Sequence, residues 1–145
     1  MRVQSDNQWT VLTRRSGATM PTSFEVQAQA LMDQMAAAYR AGDAAGCAAL
    51  FITDATVLSP YATATHGRDA IEALHRVWTA AANSKRITVI EAGQSGDLGW
   101  CLAAYSEELV TGNGTSLCTL VRQPDGSWLI RLCSLNSDVP PLAGD

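Results

Sequence analysis

The 145-residue sequence predicts a single α+β domain in which three helices pack on one curved antiparallel sheet. Two observations lead to this fold class. The first half has apolar residues at the three- and four-residue spacing of amphipathic helices, interrupted by one short strand-like run. From Lys85 onward the pattern changes to four apolar strand-like segments joined by short glycine-containing links, as in antiparallel hairpins.

Caps and apolar stripes define the three predicted helices. Thr22 and Glu25 have capping-box spacing, in which each side chain satisfies a free backbone N–H at the start of the first helix. Gly42 ends that helix as a left-handed cap, Asp43 caps a short alanine-rich second helix, and Gly67 begins the third. The predicted buried residues are Phe24, Ala28, Leu31, Met32, Met35 and Tyr39 in the first helix, Cys47, Leu50 and Phe51 in the second, and Ile71, Leu74, His75, Trp78 and Ala82 in the third.

Five strands are predicted, one before the third helix and four after it. The first covers residues 55–58 and stops at Ser59-Pro60, because proline cannot donate to a strand ladder. The other strands cover residues 86–92, 98–110, 115–122 and 127–136. Both faces of strand 98–110 are largely apolar, so neither face can simply be exposed to water.

Composition and charge exclude several classes of function. The net charge of -4, with one lysine and scattered arginines, argues against binding to nucleic acid or to an anionic membrane surface. No segment reaches the roughly 18 apolar residues of a membrane helix, and no apolar core of a signal peptide is present. We expect a cytoplasmic protein with a loosely ordered extension at residues 1–20, one domain at residues 21–141 and a tail at residues 142–145.

Cysteines and histidines do not form a predicted metal site. None of the four cysteines belongs to a Cys-x-x-Cys pair, and His66 and His75 do not complete a zinc spacing. We interpret the cysteines as reduced core thiols, with a disulfide between strand cysteines as the alternative. No glycine-rich phosphate loop opens a helix, so neither a metal nor a cofactor is predicted. The four cysteines are Cys47, Cys101, Cys118 and Cys133.

Short motifs accompany the predicted elements: Tyr39-Arg40-Ala41-Gly42-Asp43, Leu50-Phe51, Asp54-Ala55, Gly67-Arg68-Asp69-Ala70-Ile71, Trp78 and Asp125-Gly126-Ser127-Trp128-Leu129-Ile130. With these motifs the chain resembles the SnoaL-like branch of the nuclear transport factor 2-like superfamily, which also contains the ketosteroid isomerases. The resemblance implies a cone-shaped, cystatin-like fold whose sheet curls around the long helix and leaves a ligand pocket at the wide end. It also implies a homodimer packed through the outer face of the sheet.

The catalytic positions of the isomerases are substituted in this chain. The resemblance places their carboxylate base at Ser59, their tyrosine donor at Met35 and their acidic donor at Cys118. These side chains cannot abstract a proton next to a carbonyl or stabilise the resulting oxyanion. Ser134 stands where many SnoaL-like relatives carry a histidine. We therefore exclude steroid-isomerase chemistry through these groups and assign Met35, Ser59 and Cys118 to the ligand pocket.

Glu107 and His66 are the candidate catalytic residues. Glu107 and Glu108 are adjacent in a predicted strand, so their side chains point to opposite faces. We place Glu107 on the inner face with Tyr105, as a general base or ligand anchor; the alternative is a carboxylate at the rim or in a subunit contact. His66 precedes the third helix, and histidine is a residue type that transfers protons near neutral pH, so it is either a proton shuttle or a solvated loop histidine.

Five further residues have a pocket role and an alternative structural one. The tyrosines offer a hydroxyl to a ligand, or they pack in the core with the hydroxyl in water. The tryptophan lines the pocket or fills the core, and the asparagine binds a ligand or caps the end of a strand. These residues are Tyr39, Tyr61, Tyr105, Trp78 and Asn136.

Two classes of function follow from this sequence. The first is a small-molecule-binding protein with an apolar cavity which, if it is an enzyme, performs cofactor-independent acid–base chemistry as an isomerase, cyclase, dehydratase or hydrolase. The alternative is a non-catalytic ligand carrier or an association module whose cone is filled by side chains. A buried carboxylate facing a solvent-reachable cavity would favour the enzyme.

Overall fold

The computed structural model of the chain describes residues 10–12, 23–81, 84–108 and 110–139. Its helices are α1 (Ser23–Arg40), α2 (Ala44–Ala48) and α3 (Arg68–Trp78). Its strands are β1 (Thr10–Leu12), β2 (Phe51–Ser59), β3 (Ala62–His66), β4 (Arg86–Ser95), β5 (Leu98–Ser106), β6 (Gly114–Arg122) and β7 (Trp128–Ser137). The predicted α+β class, with three helices on one sheet, is confirmed.

The strands form one sheet in the order β1-β4-β5-β6-β7-β2-β3. Strands β4 to β7 follow one another as antiparallel neighbours, as predicted. β2 instead runs parallel to β7, with Val57 opposite Cys133, because it occupies the edge that the β4–β7 meander leaves open. The sheet is therefore mixed, whereas the sequence predicts a purely antiparallel sheet.

Helix α1 is fixed to the sheet at two distant strands. The side chain of Gln29 donates to the Ile87 carbonyl oxygen (3.0 Å) and accepts from the Val89 N–H (2.8 Å), close to where the register of β4 shifts. Further along the sheet, Gln27 accepts a hydrogen bond from the indole N–H of Trp128 (2.7 Å). These bonds satisfy polar groups beneath the helix and hold it across the inner face of the sheet.

The predicted caps of the second and third helices are confirmed. Gly42 has a φ of 69°, and the Asp43 carboxylate accepts from the Gly46 N–H (2.9 Å) at the start of α2. Gly67 immediately precedes α3 with a φ of 90°, a backbone conformation that favours glycine. Thr22, the predicted capping-box residue of the first helix, lies outside the described residues, as does Ala82.

Two predicted boundaries around β2 and β3 are wrong. Phe51 is buried as expected, but it opens β2 instead of belonging to the second helix, because it pairs with Ile130 of β7. No strand is predicted at Ala62–His66, where small and mostly exposed residues give no apolar alternation. Pairing with β2 makes this segment a strand, so His66 lies in a strand and not in a loop.

The ends of the sheet differ from the prediction as well. The predicted strand 98–110 ends at Ser106, because the carboxylate of Glu107 accepts from backbone N–H groups that follow and turns the chain. Thr10–Leu12 falls within the predicted extension and pairs with β4. The other residues of that extension lie outside the described part of the chain.

Candidate functional site

A cavity of about 50 Å³ lies between the inner face of the sheet and the helices. At about 10–15 Å³ per water, it holds a few waters or a ligand with a few heavy atoms, far less than the roughly 300 Å³ of a typical drug-sized site. Its apolar wall includes Met32, Met35, Phe51, Val57, Trp78 and Ile130, and its polar lining groups include Tyr39, His75, Lys85, Tyr105 and Ser116.

Lys85 supplies a buried cation to this cavity. Arg40 fixes the backbone there, since its guanidinium donates to the Lys85 carbonyl oxygen (2.7 Å). The Nζ atom of Lys85 donates to Thr111 Oγ1 (3.2 Å) and lies 4.3 Å and 4.5 Å from the ring centres of Tyr39 and Tyr105. The faces of two aromatic rings therefore stabilise the ammonium electrostatically.

Glu107 is buried behind Thr111, at the turn after β5. Its carboxylate accepts from the Val110 N–H (3.0 Å), the Thr111 N–H (2.7 Å) and the Thr111 hydroxyl (3.0 Å). A hydroxyl has one proton, so Thr111 donates it to Glu107 and accepts from Lys85. The result is a chain of ammonium, hydroxyl and carboxylate, in which Lys85 lines the cavity and Glu107 does not.

Burial controls the protonation of two polar groups that line the cavity, the Lys85 amine and the Tyr39 hydroxyl. It lowers the pKa of Lys85 to about 8, although the nearby Glu107 carboxylate favours the charged form. At pH 7, roughly one molecule in ten therefore carries a neutral amine at this position. Burial also raises the pKa of Tyr39 above its usual value, so its hydroxyl remains a proton donor.

The hydroxyl of Tyr39 is buried and makes no hydrogen bond of good geometry among the described residues, although the Thr111 side chain is close enough to lower its pKa against the larger effect of burial. Ser84 Oγ is the other such atom, but Ser84 does not line the cavity. Because an unsatisfied buried hydroxyl is unfavourable and uncommon, it points to a missing partner such as a ligand or a water. Tyr39 thus gives the cavity an available hydrogen-bonding group beside the Lys85 ammonium.

The hydroxyls of Tyr61 and Tyr105 are already used in the fold. They lie 2.6 Å apart, and Tyr61 donates to the Thr111 carbonyl oxygen (2.6 Å). Tyr105 Oη lies 3.2 Å from the backbone carbonyl oxygen of Asn136. Since Tyr61 donates its only proton to Thr111, Tyr105 donates to Tyr61 or to Asn136.

His75 lines the cavity as a neutral side chain. Its Nδ1 lies 2.8 Å from the carbonyl oxygen of Ile71, so Nδ1 carries the proton and the other ring nitrogen is an acceptor. Burial lowers the pKa of His75 to about 4. The ring packs edge-on against Trp78 and so completes one side of the pocket.

Three cysteines lie side by side on neighbouring strands of the inner face. Cys101 pairs with Cys118, and Cys118 with Cys133 on the next strand. All are free thiols, as is Cys47, in agreement with the interpretation as reduced core residues. Hydrogen bonding with Cys101 and Cys133, together with burial, raises the pKa of Cys118 and keeps it neutral.

The structure brings five of the predicted site residues to the cavity wall: Met35, Tyr39, Trp78, Tyr105 and Cys118. Glu107 does not line the cavity, because the Thr111 hydroxyl lies between its carboxylate and the Lys85 ammonium. Ser59 and Asn136 line a separate surface depression, and Tyr61 contacts Trp78 without lining the cavity. His66 is exposed, with its ring 3.1 Å from Thr56 Oγ1, and does not reach the cavity.

Sequence analysis missed Lys85 and Thr111 as site residues. Lys85 is the only lysine of the chain and stands just before a predicted strand, two residues from the inward-facing Ile87. Period-two alternation predicts that both side chains enter the interior, and a lone lysine there is a usable signal. Thr111 gives no comparable signal, because its role depends on the turn that Glu107 forms.

No group of three or more His, Cys, Asp or Glu side chains in the described part of the chain is arranged to bind a metal ion. No helix within the described ranges is long and apolar enough to cross a membrane.

Comparisons with solved structures identify the fold. A protein of unknown function from Mycobacterium tuberculosis has a TM-score of 0.71 and 21% identity, over 79% of this chain and 72% of that one. A domain of unknown function with a cystatin-like fold from Nostoc punctiforme has a TM-score of 0.69 and 20% identity, over 83% and 81%. A ketosteroid isomerase-like protein from Erwinia carotovora atroseptica has a TM-score of 0.67 and 16% identity, over 81% and 98%.

At the level of sequence, no protein-family model matches the chain, and no curated protein matches it. The predicted cystatin-like fold of the nuclear transport factor 2-like proteins is thus confirmed by structural similarity.

Proposed function

We propose that the cavity binds a small, mostly apolar organic molecule through an oxygen atom, with Tyr39 and Lys85 as the hydrogen-bond donors. The observation behind this proposal is the buried, unsatisfied hydroxyl of Tyr39 beside an ammonium, in a cavity whose wall is otherwise mostly apolar. A carbonyl or carboxylate oxygen would satisfy both donors, and the apolar wall would contact the carbon skeleton.

The same groups support acid–base chemistry without a cofactor. A lysine with a pKa of about 8 exchanges its proton near neutral pH, as a general base or acid requires. Tyr39 stays protonated and can stabilise a developing oxyanion. In this proposal Lys85 takes the part that the sequence analysis gives to Glu107, while Glu107 holds Lys85 through Thr111. The isomerase-like description of one structural neighbour is consistent with such chemistry.

The alternative is an association module, and two observations favour it. The cavity, at about 50 Å³, is small, as an association domain with a side-chain-filled interior requires. The outer face of the sheet exposes Leu98 and Leu117, with the half-buried Trp100 and Leu102 between them, and these residues suit the predicted homodimer contact. In this alternative, Tyr39 would be satisfied by trapped water and not by a ligand.

Ligand-observed saturation-transfer NMR tests the proposal. Isobutyramide is a suitable probe, because it is small, has an amide carbonyl and does not react with amines. We expect binding in the millimolar range, about -4 kcal/mol, which is well within the ceiling of roughly -1.5 kcal/mol per heavy atom that the best very small ligands reach. Native mass spectrometry of the same sample would report the dimer and any molecule that co-purifies.

Two variants separate the proposal from its alternative. Tyr39→Phe should weaken isobutyramide binding about tenfold, the effect of one good hydrogen bond. Tyr61→Phe is the matched control, because its hydroxyl is bound to Thr111 outside the cavity, and it should bind as the wild type does. A dimer that binds no probe would favour the association module, and equal affinity in the Tyr39→Phe variant would refute the assigned donor.

A further inference from the structure

We infer that Lys85 is a nucleophile that forms an imine with small aldehydes or ketones bound in the cavity. The inference rests on the proposed function, since it assigns a reaction and a substrate class to the same site. Lys85 is 6% exposed and lines the cavity, and its Nζ lies above the rings of Tyr39 and Tyr105. Its amine therefore meets any carbonyl compound that occupies this space.

An amine attacks a carbonyl only in its neutral form, and the burial of Lys85 increases the population of that form near neutral pH. Burial lowers the pKa of Lys85 to about 8, whereas Glu107 acts in the opposite direction. Glu107 is kept one hydroxyl away, because Thr111 stands between the two charges. The titratable groups that act on Lys85 are Tyr39 from α1, Cys47 from α2, His75 from α3, Tyr105 and Glu107 from β5 and the turn after it, and Cys133 from β7.

The reaction is balanced with groups that the cavity supplies. The nitrogen of Lys85 forms a bond to the carbonyl carbon, and one of its two protons is transferred to the carbonyl oxygen to give a carbinolamine. Loss of that oxygen as water, together with the second proton of the amine, leaves the carbon–nitrogen double bond. The Tyr39 hydroxyl is protonated and makes no hydrogen bond of good geometry in the described part of the chain, so it can donate to the oxygen during both steps.

The dimensions of the cavity set the substrate class. A volume of about 50 Å³ admits a carbonyl compound of a few carbon atoms. The wall beyond the polar end consists of methionine, valine and isoleucine side chains and of Trp78, which suit a short apolar chain. We therefore expect short aliphatic aldehydes and ketones to react, and bulky or cationic carbonyl compounds to be excluded.

Reductive trapping tests the inference with unusual clarity, because Lys85 is the only lysine. Folded protein is incubated with propanal and cyanoborohydride, which reduces an imine to a stable secondary amine, and the modified site is found by peptide mass spectrometry. The α-amine of the N-terminus is the internal reference. We expect the rate of Lys85 modification to saturate as the propanal concentration rises, and to reach half of its high-pH maximum near pH 8. The rate of α-amine modification should instead increase in proportion to the propanal concentration.

Tyr39→Phe should slow modification of Lys85 about tenfold and leave the α-amine rate unchanged. A Lys85 that stays unmodified, or whose rate rises linearly with propanal, would overturn the inference. Isobutyramide binding, measured in parallel, separates the two levels of the hypothesis. If isobutyramide binds but Lys85 is not modified, only the imine inference is contradicted. If isobutyramide does not bind and Lys85 is not modified, the proposed function is contradicted as well.

Discussion

The pH dependence of stability offers a direct test of the buried Lys85, through the variant Lys85→Met. The pKa of Lys85 is about 8 in the folded protein and 10.5 when unperturbed. The folded value is the lower one, so the unfolded chain binds more protons between these pH values, and the free energy of unfolding rises with pH across this window. Methionine has a similar length and does not titrate, so the variant lacks this rise.

The magnitude follows from the two pKa values. At about 1.36 kcal/mol per pH unit, the difference between 10.5 and about 8 destabilises the folded protein by about 3 kcal/mol at neutral pH. About 1 kcal/mol of this is regained between pH 8 and pH 9. The Cys47 thiol changes the free energy of unfolding in the opposite direction. Burial raises its pKa to about 12, so above pH 9 the folded protein keeps this proton while the unfolded chain loses it. Both proteins share this contribution, which cancels in their difference.

Urea unfolding followed by tryptophan fluorescence at pH 7, 8 and 9, with a thiol reductant present, measures the effect. We expect the difference in free energy of unfolding, wild type minus Lys85→Met, to increase by about 1 kcal/mol from pH 8 to pH 9. Arg86→Met is the matched control, since it removes an exposed neighbouring cation and should follow the wild-type curve. Parallel curves for wild type and Lys85→Met over this range would refute the assignment of a buried, titrating lysine.

Three other predictions concern stability and ligand binding. Tyr39→Phe removes an unsatisfied buried hydroxyl and should raise the free energy of unfolding by about 1 kcal/mol. Tyr105→Phe breaks hydrogen bonds and should lower the free energy of unfolding by about 1 kcal/mol. Equal effects of the two variants in urea unfolding would contradict this contrast. His66→Ala should bind isobutyramide with unchanged affinity by NMR, because His66 does not reach the cavity, and a weaker affinity would reinstate it as a site residue. Gly114→Ala should lower the free energy of unfolding by about 3 kcal/mol, since its Cβ would collide with the Asn136 carbonyl oxygen; an unchanged thermal midpoint would exclude that collision.

Most of the fold could be predicted because its elements have strong local signals. Gly42 and Asp43 mark the end of one helix and the start of the next, and the alternation of β5 and β6 places Cys101 and Cys118 on the inner face. Strand β3 has no such signal, since its small exposed side chains bury almost nothing and only pairing with β2 orders it. The prediction of a loop at His66 is wrong for the same reason: its position depends on a hairpin that the local sequence does not encode.

The candidate site was only partly predictable, because its chemistry depends on contacts between distant segments. The inward position of Glu107 follows from strand alternation, and Glu107 is buried on the same side as Tyr105. Its role does not follow, because the turn that directs its carboxylate toward Thr111 is a tertiary feature. Lys85 comes near it from more than 20 residues earlier in the chain, and a single sequence does not reveal that pairing.

Two of the three substituted isomerase positions, Met35 and Cys118, line the same cavity as Tyr39 and Lys85, and the separation of Met35 and Tyr39 on α1 is informative. Met35, where the resemblance places a tyrosine donor, is four residues before Tyr39, and both side chains line the cavity from one face of the helix. The hydroxyl donor is therefore present, but it lies one helical turn further along and beside a cation. A neutral phenol and an ammonium both stabilise negative charge on oxygen, and no carboxylate lines the cavity within the described residues. Under the proposed function, this combination favours ligands that carry or develop an oxyanion and disfavours cations.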